Sequence, residues 1–503
     1  MLSVARDTSG PPLSLLGWLS LLYLVLPHLL FAFGWLTPAV LVPYVAVLGV
    51  VLWLAGRLAV TEWPANRSYW WARGRAWWPA VLLAVAWVAL SGAGGIGYQN
   101  GDYEAANGML KDLIFRPWPL QYDIAHTNPT SPTTHVYLVY YVAYYLPAAV
   151  VGKAAGWIAA NAAMFLWTCF GILLAIAWVA VIVGIRATAW AGVALVFVFG
   201  AFGGMDWLGS WYMGDPFSPI AHVEWWARIY QYSSHTTQLF WVPQHALAPW
   251  IVTGALIGTS RFPGQFDRFV PILPAACLLW SPFATVGLMP IAATAAVLAW
   301  RRGTLHRLIP AGTLTTVAII AGVTVPFLLA NRFAFPKGFI FAMGSDAFAL
   351  AGEATVEGLL IFWMLEFAAL VLLLFSTGQV PRGLRVWAWV AFACLLVIPL
   401  YQAGLNNDFA MRVSIPGLYV ICLTAIAVLF NGQAWAPTKV AALIVLGIGG
   451  LTGLSEVGRS LRLYHIGPPA VEAVRSFPQF TGRDIAQRSG KPDAVFFKYL
   501  ARH

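Results

Sequence analysis

Charge is what this sequence has least of. Only 10% of its 503 residues are Asp, Glu, Lys or Arg, whereas 60% are hydrophobic. A soluble domain carries about 25% charged residues, so that class is excluded. Cysteine is almost as scarce. Cys169, Cys277, Cys394 and Cys422 all fall inside apolar runs, with no metal-like spacing between them, which leaves neither a disulfide framework nor a zinc centre. No Gly-rich loop with a following Lys-Ser/Thr succeeds a predicted strand, so ATP-driven transport has no support. The apolar runs are continuous rather than alternating, which excludes a β-barrel. There is no repeat of fixed period, no low-complexity tract, and nothing that points to nucleic acid as a partner.

What remains is a succession of apolar runs of 18 residues or more, the mark of an all-α polytopic membrane protein. The first, Leu13 to Phe33, has no small-residue cleavage site behind it and reads as a retained helix. Lys and Arg in short loops mark the cytoplasmic side. Arg57, Arg67, Arg73, Arg75, Lys153, Arg186, Arg261, Arg268, "RRGTLHR" (301–307) and "PRGLR" (381–385) supply that map. The polar stretches at 98–133, 205–246 and 331–355 then become outer loops. "NNDFAMR" (406–412) and the tail 456–503 join them, beyond a transmembrane domain over 1–455. The segment Trp157 to Val183 would be about 40 Å long as one helix. Two short helices there keep the loops on one side and bring the total to 13–15 membrane segments. "VLGIGGLTGL" (445–454) is read as helix packing.

The third apolar run ends at "GGIGYQNGDYEAANGMLKDLIFRPWPLQYD" (94–123). Tyr103, Ala106, Leu110, Leu113 and Ile114 recur at helical spacing, while Glu104, Asn107 and Lys111 take the other face. This predicts an amphipathic helix on the outer membrane surface, ended by "RPWP". Asp102 stands just before it. One reading is a helix cap that satisfies free amides; the other is a carboxylate held at the membrane surface as a general base.

A large outer loop after an early span, with an Asp near its start and an amphipathic helix behind it, resembles the GT-C class of integral membrane glycosyltransferases. The resemblance implies a GT-C-like helical bundle and a sugar donor carried on a polyprenyl phosphate. It also implies inversion at the anomeric carbon and Asp102 as the catalytic residue, with Tyr103 and Glu104 beside it as substrate contacts. The acceptor is a glycan, lipid or protein hydroxyl, and membrane lipids surround the site. Such a donor already has phosphate as its leaving group, so the enzyme needs a base for the acceptor and cations for the departing phosphate.

For the cations, Asp408 and Arg412 lie four residues apart, on one face of any helix, with Asp408 orienting the Arg412 fork toward phosphate or the two forming a plain intrahelical pair. Arg332, Lys337 and Arg228 are further phosphate candidates. The loop from Met205 to Trp250 adds His222, Glu224, Gln244 and His245 amid many aromatics, the mixture a sugar site needs. His222, His235 and His245 lack any usual zinc spacing; no cofactor is required, and Mg or Mn is the possible ion.

Glu366 lies inside an apolar run, where a carboxylate costs about 2.5–3.5 kcal/mol, so it is expected to face protein or water. A glycan polymerase or ligase would use the same donors. A transporter or flippase would place ionisable groups near the midplane and show similar halves. Abundant Trp and Ala with few Lys suggest a bacterium of high genomic GC content, hence an inner-membrane protein with an extracytoplasmic site.

Overall fold

The computed structural model describes residues 13–124, 135–215, 222–331, 337–342, 354–404, 407–480 and 483–502. Among these residues nearly all regular structure is helical, and eight helices are long and apolar enough to cross a membrane. The chain is a multi-pass membrane protein.

The path runs between two ends of the bundle. Helix α1 (Leu13–Trp35) rises to the end where the chain terminus lies: Thr37 donates its amide to the Leu500 carbonyl at 2.9 Å. Helix α2 (Pro38–Ala76) returns, and α3 (Trp78–Ala89) rises again to a glycine-rich turn, where the Gly97 amide meets the His465 carbonyl at 3.0 Å. There α4 (Asp102–Phe115), β1 (Gln121–Asp123) and β2 (His135–Leu138) form a surface layer. Helices α5 (Leu146–Val183) and α6 (Ala189–Gly200) go down and back. At the far end Arg73 donates to the Ile185 carbonyl at 3.0 Å and Trp77 to that of Arg186.

The second half repeats this shuttling. Helices α7 (Asp206–Met213) and α8 (His235–Trp241) lie in the terminal layer, and α9 (Pro243–Arg261) descends. Helix α10 (Ile272–Cys277) climbs back to Ser281, whose hydroxyl caps α11 (Pro282–Arg301) and bonds His245 Nδ1 at 2.8 Å. After the short α12 (Leu305–Leu308), α13 (Ala311–Leu329) rises to β3 (Lys337–Phe339). Helices α14 (Val356–Trp363) and α15 (Ala369–Ser376) are one span joined through a π turn at Met364–Ala368. Helix α16 (Arg382–Val397) leads to β4 (Tyr401–Ala403), which pairs antiparallel with β3. Then come α17 (Asp408–Val413), α18 (Ile415–Phe430) and α19 (Ala436–Arg462).

Small residues set the helix spacing, as expected where lipid gives helices no hydrophobic reason to associate. A Cβ at Gly449 would collide with the Gly203 carbonyl, so α19 packs through its glycines as its sequence suggested. Helix α5 buries 67% of its most apolar window and α2 only 22%, so α5 is central and α2 faces lipid.

Three expectations need correction. Trp157–Val183 is one helix, the lower part of α5, and not two; the break lies just above it, at Gly156 (φ 82°, ψ −175°), a conformation only glycine adopts cheaply. Lys153 lies at the end that holds α4, donating to the Ile114 and Arg116 carbonyls, and not with the other basic loops. Together these two changes restore the even number of passes between 134 and 205. Helix α4 is not open on its polar face. Glu104 pairs with Arg475 at 3.2 Å, and Lys111 donates to the Val474 carbonyl.

Candidate active site

A cavity of about 1110 Å³ opens at the end of the bundle that carries α4, β1 and β2. Its wall begins with Asp102. Gly101 is the residue that precedes α4, and Asp102 is its first helical residue, its amide held by the Asn100 side chain at 3.0 Å. Its carboxylate caps nothing and accepts no hydrogen bond among the described residues. Asp102 is exposed and lines the cavity. Burial within the surrounding protein pushes its carboxyl above the usual range, offset by the Arg412 charge and reinforced by Asp408; Arg488 and His222 add smaller offsetting charges.

The cations come from separate elements. Asn407, in the left-handed region at φ 53°, caps α17 by accepting from the Ala410 amide, and so fixes where that short helix starts. One turn of helix then puts Asp408 and Arg412 together at 2.8 Å, as the spacing predicts. Both line the cavity, and the Arg412 guanidinium lies over the Tyr141 ring at 5.9 Å. Arg228 also lines it, from a residue at φ 52°, ψ −117° outside any helical region. Asp215 sits 3.8 Å from the Arg228 guanidinium.

Behind one wall is a buried network. His222 reaches the cavity surface, with Nδ1 2.8 Å from Glu456 and Nε2 3.5 Å from Glu224. Burial lowers its pKa, but the Glu456 hydrogen bond and the two carboxylates outweigh that and raise it. Glu224 is fully buried and accepts from the Ser234 amide at 2.8 Å; burial raises its pKa, with the His222 charge opposing and Asp206 adding to the rise. Glu456 also accepts from Trp241 and pairs with Arg459, whose guanidinium lies 5.0 Å from the Trp241 ring centroid. Deeper still, Glu366 is buried, and among the described residues its Oε1 has no hydrogen-bond partner.

Asp102, Tyr103, Glu104, His222, Arg228, Gln244, Asp408 and Arg412 therefore meet on one cavity. Tyr103 is mostly buried and donates to the Ser91 carbonyl. Three expected residues do not line the cavity. Glu224 supports His222 from beneath, because its carboxylate is drawn to the Ser234 amide. His245 is turned to Ser281 and packs edge-on against Tyr141, with centroids 4.9 Å apart. Lys337 is exposed on β3 and is not among the wall residues. Arg332 lies outside the described residues. Among the described residues no group of three or more His, Cys, Asp and Glu side chains is arranged to hold a metal ion.

Sequence reasoning missed Tyr140, Tyr141, Gln487 and Arg488, all cavity residues. The cluster "VYLVYYVAYYL" (136–146) was the available signal for the first two. Nothing local marks Arg488, which reaches the site only because the chain terminus folds back. No known protein family, no curated protein and no solved structure matches the chain.

Proposed function

We propose that this protein is a membrane glycosyltransferase of the GT-C kind, moving a sugar from a polyprenyl phosphate to an acceptor hydroxyl. The observation that carries the reading is the pairing, on one cavity, of Asp102, whose carboxylate accepts no hydrogen bond among the described residues, with the oriented cation Arg412. The eight long apolar helices among the described residues, with three shorter apolar ones beside them, are compatible with such a bundle. Phe283, Leu328, Leu329 and Met411 form an apolar flank of the cavity suited to the lipid of the donor.

In this reading Asp102 takes the acceptor proton as the acceptor oxygen attacks the anomeric carbon. The bond from that carbon to the phosphate oxygen breaks, and its electron pair leaves with the phosphate. Arg412, held by Asp408, meets the charge that develops there; a guanidinium fork matches two phosphate oxygens. The raised pKa of Asp102 strengthens it as a base, whereas a capping role would have weakened it. Attack from the side opposite the phosphate inverts the anomeric centre. The positive-inside pattern supports an extracytoplasmic site in a bacterial inner membrane.

A transporter is the second reading, favoured by Glu366, a carboxylate buried within a membrane-spanning helix. Native mass spectrometry of the purified protein separates the two. A polyprenyl phosphate on the wild type, with sugar still attached on Asp102→Asn, is the expected result. Ordinary phospholipid alone on both would count against the transferase.

A further inference from the structure

The segment after α19 is stitched over the cavity at both of its ends. Near its start Asp112, buried on α4, accepts from the Ser476 hydroxyl at 2.7 Å and the Phe477 amide at 2.8 Å. Near its finish Ser489–Gly490 pairs antiparallel with β2, and the Arg502 amide bonds the Trp35 carbonyl at 2.8 Å. Between them lies α20 (Arg483–Arg488), whose last residue lines the cavity. Its backbone is fixed as well: the Arg488 carbonyl accepts from the Val139 amide at 2.9 Å.

The Arg488 guanidinium lies over Tyr140 at 4.9 Å, and Tyr140 packs against Tyr141 with centroids 4.3 Å apart. Arg412 lies over Tyr141. Two arginines from distant parts of the chain thus flank one tyrosine pair, and the charges of both act on Asp102 and on Tyr141. A sugar–phosphate–lipid diester carries one negative charge. When its sugar leaves, the phosphate gains a second, and only a cation whose hold strengthens at that moment speeds the step.

We propose that Arg488, brought in by the C-terminal segment, is a second ligand of the lipid-linked phosphate, so that the segment is part of the site. The proposal rests on the transferase reading for its substrate class. Its test uses the full-length protein in detergent, titrated with farnesyl phosphate, farnesol and inorganic phosphate.

Arg488→Ala is expected to weaken farnesyl phosphate about 10-fold or more, the worth of a charge-assisted hydrogen bond, and to leave farnesol unchanged. Arg488→Lys keeps the charge without the fork and falls between. Should the Ala variant lose the native melt, Arg488→Gln carries the same expectation. Wild-type farnesyl phosphate affinity in a natively melting Ala or Gln variant overturns the proposal. So does inorganic phosphate that competes at the concentration of farnesyl phosphate, which would assign the site to a free anion. Binding that depends on Arg488 in a protein that transfers no sugar sinks the transferase reading and leaves this site standing. Transfer that depends on Asp102, with farnesyl phosphate affinity unmoved in Arg488→Ala, does the reverse.

Discussion

Asp102→Asn removes a base and almost nothing else. Asp102 is the first residue of α4, not its cap, and its carboxylate holds no hydrogen bond among the described residues. The structural cost is therefore the favourable interaction of a charge with a helix N-terminus, about 0.3–1 kcal/mol. Relief of a desolvated carboxylate offsets part of this, since burial already disfavours the charged form. Stability should stay within about 1 kcal/mol of wild type. Positioned general-base catalysis is worth about 10²- to 10⁴-fold, or roughly 3–5 kcal/mol of barrier. The assay is single-turnover transfer from a panel of short-chain polyprenyl-phosphate sugars, followed by mass spectrometry, with a thermal melt on the same preparation. Glu104→Gln is the control, because Glu104 lines the same cavity but is engaged with Arg475 at 3.2 Å. The expectation is a loss of two decades or more for Asp102→Asn and only a few-fold for Glu104→Gln. Transfer by Asp102→Asn within about 3-fold of wild type would refute the reasoning. Equal losses in the two variants would do so too, since a general change in cavity charge would then suffice.

The pH profile carries a second test. Asp102 must be ionised to act, so the acid limb of the rate should lie above 3.8, the ordinary Asp value. Arg412 lowers that pKa and Asp408 raises it; Arg412→Ala should move the limb up and Asp408→Asn should move it down. Opposite shifts would remove Asp102 as the titrating group. Stability should fall as pH rises through neutrality, for two reasons of one sign. His222 has a raised folded pKa, so the stability it adds is full below 6.5 and lost above its folded value. Glu224 is also raised, so the folded state holds a proton that the unfolded chain gives up above 4.5. Glu224→Gln should flatten that slope in denaturation curves taken from pH 5 to 8. Asp112→Ala should free the C-terminal segment, because Tyr122, Ser476 and the Phe477 amide all lose a buried acceptor. Several charge-assisted bonds vanish together, about 3 kcal/mol or more, which limited proteolysis between 463 and 480 would register.

What could be read from the sequence was whatever depends on neighbours along the chain. The apolar face of α4 follows from helical spacing, and Leu110, Leu113 and Ile114 are buried as that spacing requires. The Asp408–Arg412 pair follows from one helical turn, and α17 supplies that turn. Asn107 shows where such reasoning stops. Spacing puts it on the polar face, yet it is buried and donates to Gln99 at 2.8 Å, in the loop that leads into the helix. His245 and Glu224 went astray for a related reason. Their residue types suit a sugar site, but a buried side chain turns to whatever partner burial demands, here Ser281 and the Ser234 amide, and those partners were chosen by the fold. Lys153 shows that a single charge cannot fix sidedness. Its ammonium belongs to the Ile114 and Arg116 carbonyls and to the face of Trp118, a local need that outweighs the general bias of loops toward one side. Arg488 is the extreme case: its role depends on a strand of two residues pairing with β2, a contact no local pattern encodes.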